Sequence, residues 1–337
     1  MTDRNLIAID LAKSVFQVCV FSRSGKVVSN RRHRRAELKT FMAQQRPSLV
    51  GMEACYSSHY WGRLLNGYGH EVRLIPAQHV KPFVRGNKND ANDAIAIGEA
   101  SKRPNLRVVP VKTIEQQDMQ ALHRIRQRLM KNRIALSNQV RGLLSEYGIV
   151  FGRGHKALLE NLRGLIAQPR EDLSVRMQGE IVELLAEYEQ LCTRLRRIDR
   201  QIDQHAHGNA LCVRLMTIPG IGVVVASALV AAIGNGAQFS SPRELAVWLG
   251  LTPRQYGSGD RNHMGAITKR GDRYLRRLLI HGARAALHRR RRDDRLSRWA
   301  KAVAERRGNA KATVALAHKI ARLAWVLLQR GDDYRSR

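Results

Sequence analysis

The chain is poor in negative charge and in cysteine, and it has no long apolar run. Only 28 acidic residues face 59 lysines and arginines, a formal charge of +31. That balance argues against a small-molecule enzyme and points to a polyanionic partner held through its phosphates, nucleic acid first. An anionic membrane would attract the same charge. The longest clean apolar stretch, Val223 to Ile233, is however far short of the ~20 residues that a spanning helix needs, so no membrane partner is expected. Cys19, Cys55, Cys192 and Cys212 are scattered without a Cys-x-x-Cys pair, which sets aside both a structural zinc site and a disulfide framework. The opening residues carry no signal-peptide pattern, and the expected location is the cytoplasm. No glycine-rich phosphate loop follows Asp10, which disfavours a sugar-kinase-like nucleotide site. At 337 residues the chain suggests two or three domains with ample length for apolar cores.

From Leu6 to about Val109 the pattern is α/β. Leu6 to Ile9 and Val15 to Phe21 read as strands, and Ser22-Arg23-Ser24-Gly25-Lys26 as a hairpin-type turn leading to Val27 and Val28. The basic cluster Arg31-Arg32-His33-Arg34-Arg35 precedes a helical stretch from Ala36 to about Gln45 and is either a solvated face or a phosphate contact. The first strand runs into Asp10, and Ser48 to Glu53 repeats the theme, an apolar strand ending on an acid. A helix near His59 to Tyr68 and a third apolar run, Val72 to Ile75, follow. Asp90 and Asp93 then stand three apart at a helix start and share one helix face. Singly, these acids are ordinary: Asp10 can cap a turn, Asp90 can be a helix N-cap and Glu53 a strand-end charge. Together, two strand-end carboxylates and an i, i+3 pair offer the hard oxygen donors that Mg²⁺ requires, enough for two ions clamping a phosphodiester.

Beyond Pro110 the composition changes to long helices. Leu122, Leu129, Leu136 and Leu143 recur every seven residues, with Ile125 between the first two, a heptad seam with polar interruptions. A glycine-containing break from Gly148 to Gly154 follows. Ile181, Leu184, Tyr188, Leu191, Leu195, Ile198 and Ile202 then alternate spacings of three and four. Two such segments pair either within one chain or between chains, and spacing does not choose; a coiled coil that also oligomerises is expected.

Pro219-Gly220-Ile221-Gly222 lies between two apolar helical stretches. It reads as a helix-hairpin-helix turn, with Gly220 and Gly222 letting backbone N–H groups approach a phosphate, or as an ordinary tight connection. Pro253 and the glycines around Ser258 predict a loop with an exposed hydroxyl. Arg254 lies in that loop, and Lys269, Arg270, Arg273, Arg276 and Arg277 set cations around the next helix start. Arg289 to Arg292 and a last amphipathic helix, Ala312 to Leu328, complete the chain.

In order, the motifs are Ile7-Ala8-Ile9-Asp10, Met52-Glu53-Ala54, Asn89-Asp90-Ala91-Asn92-Asp93-Ala94, Ile218-Pro219-Gly220-Ile221-Gly222, Gly250-Leu251-Thr252-Pro253 and Ser258-Gly259. This ordered set resembles the DEDD-type insertion-sequence transposases related to the Piv DNA invertase, a family of bridge-RNA-guided serine recombinases, over nearly the whole chain. The resemblance implies a RuvC-like (RNase H fold) domain over residues 1–109, whose Asp10, Glu53, Asp90 and Asp93 hold Mg²⁺. It further implies a coiled-coil region over 110–206 and a helical transposase domain over 207–337 with Ser258 as nucleophile. It implies cutting and rejoining of donor and target DNA through a phosphoserine, guided by a structured RNA from the element, in a dimer or tetramer. Asp260-Arg261-Asn262-His263 departs from relatives that place further hydroxyl residues there. His263 is a candidate for proton transfer or a phosphate contact, and Thr268, Ser240 and Ser241 are fallback hydroxyls. The rivals are a RuvC-like nuclease using water and a non-catalytic nucleic-acid-binding scaffold.

Overall fold

The computed structural model describes residues 5–87, 89–168, 170–258, 261–288 and 294–335, with the side chain of Ser258 excluded. The chain divides into two compact units, Met1–Gln117 with Ala237–Ser240, and Asp118–Gly236 with Ser241–Arg337.

The first unit is built on a five-stranded mixed sheet. Its elements in order are β1 (Leu6–Asp10), β2 (Val15–Phe21), β3 (Val27–Arg34), α1 (Arg35–Gln44), β4 (Leu49–Glu53), α2 (Ser58–Gly67), β5 (Glu71–Ile75), α3 (Ala77–Val80) and α4 (Asp90–Ser101). The strand order is β3-β2-β1-β4-β5. β1–β2 and β2–β3 pair antiparallel, whereas β1–β4 and β4–β5 pair parallel. The short turns after β1 and β2 permit the antiparallel meander, and helical crossovers are what parallel strands need.

Alternation along the strands feeds two cores. Ile7, Ile9, Phe16, Val18, Val50 and Met52 face Leu38 of α1 and Trp61 and Leu65 of α2. Leu6, Ala8, Cys19, Phe21 and Leu49 face Ala94, Ile97 and Ala100 of α4. α4 lies close on the sheet because Gly98 has no side chain: a Cβ there would come within 2.2 Å of the Phe21 ring.

The basic cluster is placed differently from expectation. Arg31 to Arg34 continue β3 as the sheet's edge strand, and α1 begins at Arg35. A charged edge strand pairs on one side and repels further strands on the other, so β2 extends the strand past the two valines.

Among the described residues, the second unit is helical apart from one hairpin. It comprises α5 (Ile114–Ser145), α6 (His155–Ala167), α7 (Val175–Gly208), α8 (Ala210–Met216), α9 (Val223–Ile233), α10 (Pro242–Trp248), β6 (Pro253–Ser258), β7 (Arg261–Ile267), α11 (Arg273–His288), α12 (Arg295–Arg307) and α13 (Asn309–Arg330). The first four residues of α5 fall in the first unit. Arg126 of α5 bonds Asp199 of α7 at 2.5 Å, and further along α5 Arg133 reaches Cys192. The long helices therefore run antiparallel within one chain. All seven of the periodic α7 residues lie in their shared core.

The α5 seam differs from the heptad. Leu129 and Leu136 are buried, but Leu143 and Ile125 are exposed, and Val140 and Leu144 take over at the far end. A straight helix turns every 3.6 residues, so a seven-residue stripe drifts by ~20° per heptad and rotates off the contact. No helix among the described residues is long and apolar enough to cross a membrane.

Candidate functional site

β1 and β4 are parallel neighbours with Ile9 level with Met52, which sets Asp10 and Glu53 side by side at the same carboxyl edge. Both are half-buried. The Cys55 thiol senses both charges: its pKa is pushed up to about 11, first by burial, then by Glu53 and then by Asp10. In the loop leaving Glu53, Ser57 adopts a left-handed backbone (φ 65°), and its Oγ is buried without a hydrogen-bond partner among the described residues. Strain of this kind in a non-glycine residue, of order 1–3 kcal/mol, concentrates at functional sites.

A polar relay ties α4 to the same edge. Gln17 sits opposite Asp10 in the β1–β2 register and donates to Asn30 Oδ1 at 2.6 Å. Asn30 Nδ2 in turn donates to the carbonyl of Ala91 at 3.1 Å. Ala91 lies between Asp90 and Asp93 in the first turn of α4. The cap of that helix is Asn89, whose side chain accepts from Asn92 N at 2.8 Å. Asp90 is thereby released from the capping role open to it in the sequence, and both acids sit at the favourable end of the helix dipole. Asp90 approaches Arg32 at 3.7 Å with both side chains largely exposed, a contact worth little in water.

The donor chemistry of these four carboxylates fits a hard cation such as Mg²⁺. Asp10 and Glu53 are adjacent, but among the described residues no three His, Cys, Asp or Glu side chains are placed to hold one metal ion. Gln17 and Asn30 were not legible as site residues, because their relay reaches α4 only through the distant Asn30–Ala91 contact.

In the second unit the segment around Ser258 is a hairpin instead of the expected loop. β6 pairs antiparallel with β7, with Ser258 opposite Arg261 as the last residue of β6. The Ser258 side chain, Gly259 and Asp260 lie outside the described residues. Pro253 is tolerated because it opens the strand, where its missing N–H is least costly. The described β6 side chains, with Tyr256 55% and Met264 of β7 57% accessible, stand in solvent. A two-stranded hairpin without a covering layer is marginal alone. Its base is fixed by Thr268 N donating to Thr252 O and Lys269 N to Gly250 O. His263 is exposed opposite Tyr256. Of the fallback hydroxyls, Ser241 caps α10 by accepting from Glu244 N, and Thr268 Oγ1 is buried without a partner among the described residues.

Arg254, Lys269, Arg270, Arg273 and Arg277 are exposed around the hairpin and the start of α11. Arg276, a candidate nucleic-acid contact by sequence along with these residues, is placed differently from them. It is buried, and its guanidinium donates to the carbonyls of Leu249 at 3.0 Å and Arg270 at 3.2 Å, a strut between α10 and α11. The two glycines of the α8–α9 connection also divide. Gly220 (φ 92°) packs on α11, where a Cβ would meet the Gly282 carbonyl oxygen at 2.8 Å. Gly222 caps α9, is exposed and faces open space. Gly222 is the more exposed of the two, at the α9 N-terminus. Arg289 to Arg292 lie outside the described residues.

Strand-end carboxylates on one unit and a strongly cationic surface on the other define a class of protein that acts on DNA. The comparisons agree. The family described as DEDD-type IS110 transposase matches residues 7–149, and the transposase IS116/IS110/IS902 family matches residues 212–299. The chain is 47% identical over 98% of both lengths to a probable family 20 transposase of Pseudomonas aeruginosa. It is 43% identical to the transposase for insertion sequence element IS1111A of Coxiella burnetii, over 99% of this chain and 92% of that one. A distant similarity, 22% identity over 82% of this chain and 81% of the other, reaches the pilin gene-inverting protein of Moraxella bovis. The chain belongs to the IS110/IS116 family of insertion-sequence transposases, enzymes that cut and join DNA.

Proposed function

We propose that this transposase is an RNA-guided DNA recombinase that moves its own insertion sequence through a phosphoserine intermediate on Ser258. The first unit is read as a RuvC-like domain. Supporting this are the strand order, an antiparallel meander followed by parallel crossovers, and the observation that carries most weight: Asp10 beside Glu53 at the carboxyl ends of adjacent central strands. Asp10, Glu53, Asp90 and Asp93 are the proposed Mg²⁺ ligands. When bound there, Mg²⁺ would offset the charge that develops on the phosphoryl oxygens.

The serine chemistry balances without an energy source. Ser258 Oγ bonds to phosphorus, the bond from phosphorus to the departing strand's oxygen breaks, and that oxygen leaves as a hydroxyl. The serine proton passes through a general base to the departing oxygen. Attack by a new strand's hydroxyl reverses the step, restores Ser258 and reseals the backbone. The placement of Ser258 at the end of β6, on a hairpin flanked by Arg254, Lys269, Arg270 and Arg273, supports this role. Guidance by an element-encoded RNA, assembly as a dimer or tetramer and a cytoplasmic location complete the proposal, supported by the net charge and the family.

The test is a denaturing gel of protein incubated with labelled element-end DNA, guide RNA and Mg²⁺. A covalent protein–DNA adduct is expected, and Ser258→Ala should abolish it while DNA binding persists. Strand cleavage without an adduct would mean that water is the nucleophile and would remove Ser258 from the mechanism.

A further inference from the structure

Far along the α5–α7 arm from Arg126 lies a concavity of about 430 Å³ that the functions described above do not use. α5 contributes Arg133, Ser137, Asn138 and Arg141 to its wall, the turn before α6 contributes Arg153, α6 contributes His155, and α7 contributes Tyr188. We propose that this concavity is a second nucleic-acid site, one that seats a backbone phosphate on the helical arm.

Charge is the first argument. Three arginines line the concavity, and none of its lining residues is acidic. Arginine forks match phosphate oxygens in pairs, a role left to Arg133 and Arg153 because the Arg141 fork is spent on backbone carbonyls and Ser137, and like charges gathered in one recess repel one another. An anion relieves that repulsion.

Preorganisation is the second. Arg141 is not a waving surface side chain: its guanidinium donates to Gly152 O at 3.1 Å, to Gly154 O at 2.9 Å and to the Ser137 carbonyl at 3.2 Å, with a further bond to Ser137 Oγ. Its Nε is buried and has no partner among the described residues. The side chain therefore sets the shape and the charge of the wall, not a contact of its own.

The third argument is the start of α6, a helix of 13 residues whose N-cap Gly154 supplies no side-chain cap. Gly154 and His155 both line the recess, so the uncapped start of α6, whose first-turn N–H groups have no intrahelical partner, lies at its wall. His155 is held by Tyr188 Oη at 3.0 Å. Burial, then Arg133 and Arg196, lower its pKa, so at neutral pH the positive charge of the recess comes from the arginines. Asn138, exposed at the rim, adds an amide able to donate to a phosphate oxygen.

This site does not depend on Ser258, on the carboxylates or on RNA guidance. DNA and RNA present the same phosphodiester, and the experiment separates them. Anisotropy of the full-length protein is measured with labelled single-stranded DNA and with the same sequence as RNA, across a salt series. Asn138→Asp puts a carboxylate at the rim without removing a buried group. It should weaken binding of at least one strand roughly tenfold. Arg133→Ala with Arg141→Ala should weaken it further and reduce the salt slope by about 0.7–0.9, the value for one phosphate contact. Arg124→Ala with Arg128→Ala removes two exposed arginines of α5 outside the recess and should change affinity less than about twofold if position outweighs net charge. Because Arg141 also braces the 152–154 turn, circular dichroism accompanies that variant, and Asn138→Asp decides if it unfolds. Loss with RNA alone, DNA alone or both supports the site and names its strand. Unchanged binding by Asn138→Asp, or an equal loss in the Arg124/Arg128 control, overturns it.

Discussion

Lowering the pH tests a buried network that joins three helices of the second unit. His123 of α5, 3% exposed, accepts from Tyr274 Oη at Nδ1 (3.0 Å) and donates from Nε2 to Ser227 Oγ (3.0 Å). Ser227 spends its own hydrogen on the Val223 carbonyl at 2.6 Å, so its oxygen must accept, which fixes the neutral Nε2–H tautomer. Burial, then the charges of Arg126 and His205, lower the His123 pKa from 6.5 to about 4. Between those values the unfolded chain binds a proton that the folded chain refuses. The stabilisation is therefore complete above about pH 6.5 and is lost as pH falls towards 4. At 1.36 kcal/mol per pKa unit, the loss is about 2 kcal/mol near pH 5 and about 3 kcal/mol once both values are passed. The assay is urea unfolding at a series of pH values for the wild type and for His123→Gln, whose amide can take both hydrogen bonds but does not titrate. His59, also lowered to about 4, by burial and then by Lys112 and Arg63, contributes acid sensitivity in the first unit, so the difference between the two proteins isolates His123. The variant should lose about 2 kcal/mol less than the wild type between about pH 7 and pH 5. Equal acid sensitivity in the two proteins would refute the neutral buried histidine.

Two further predictions follow from the sites. Asp10→Asn should abolish DNA cleavage with little change in DNA binding, and it should speed alkylation of Cys55 at mildly alkaline pH. One of the charges that raise the thiol pKa is then gone, and Cys19, Cys192 and Cys212 are buried; an unchanged Cys55 rate would mean that Asp10 and Cys55 are not neighbours. Arg276→Ala should lower stability by about 2–4 kcal/mol, because it strips two carbonyls of a buried partner, whereas Arg277→Ala should leave the melting temperature unchanged and weaken DNA binding with a shallower salt slope. Thermal melts and anisotropy on both variants separate the strut from the contact, and the reverse pattern would exchange the two roles.

Much of the arrangement was legible in order of residues alone, where the determining interactions are local. Strands that end on Asp10 and Glu53 follow from apolar runs of the right length, and the seven periodic positions of α7, six of them buried and Leu184 half-buried, follow from helical period. The charge on the chain announced a polyanionic partner before any fold was known. Neighbouring in space is a different matter, since it depends on segments far apart in sequence. Only the sheet order put Asp10 next to Glu53, and only the β2 edge turned Arg31 to Arg34 into a strand. Non-local pairing likewise turned the Ser258 segment into a hairpin. Burial separated residues that look alike in sequence: Arg276 went inside while Arg277 stayed out, and Gly220 was taken up by Gly282 while Gly222 stayed open. The sequence by itself determined which groups are available for chemistry. The tertiary structure decided which of them remain free to use it, because a side chain's solvent and partners are set by surfaces that meet only on folding.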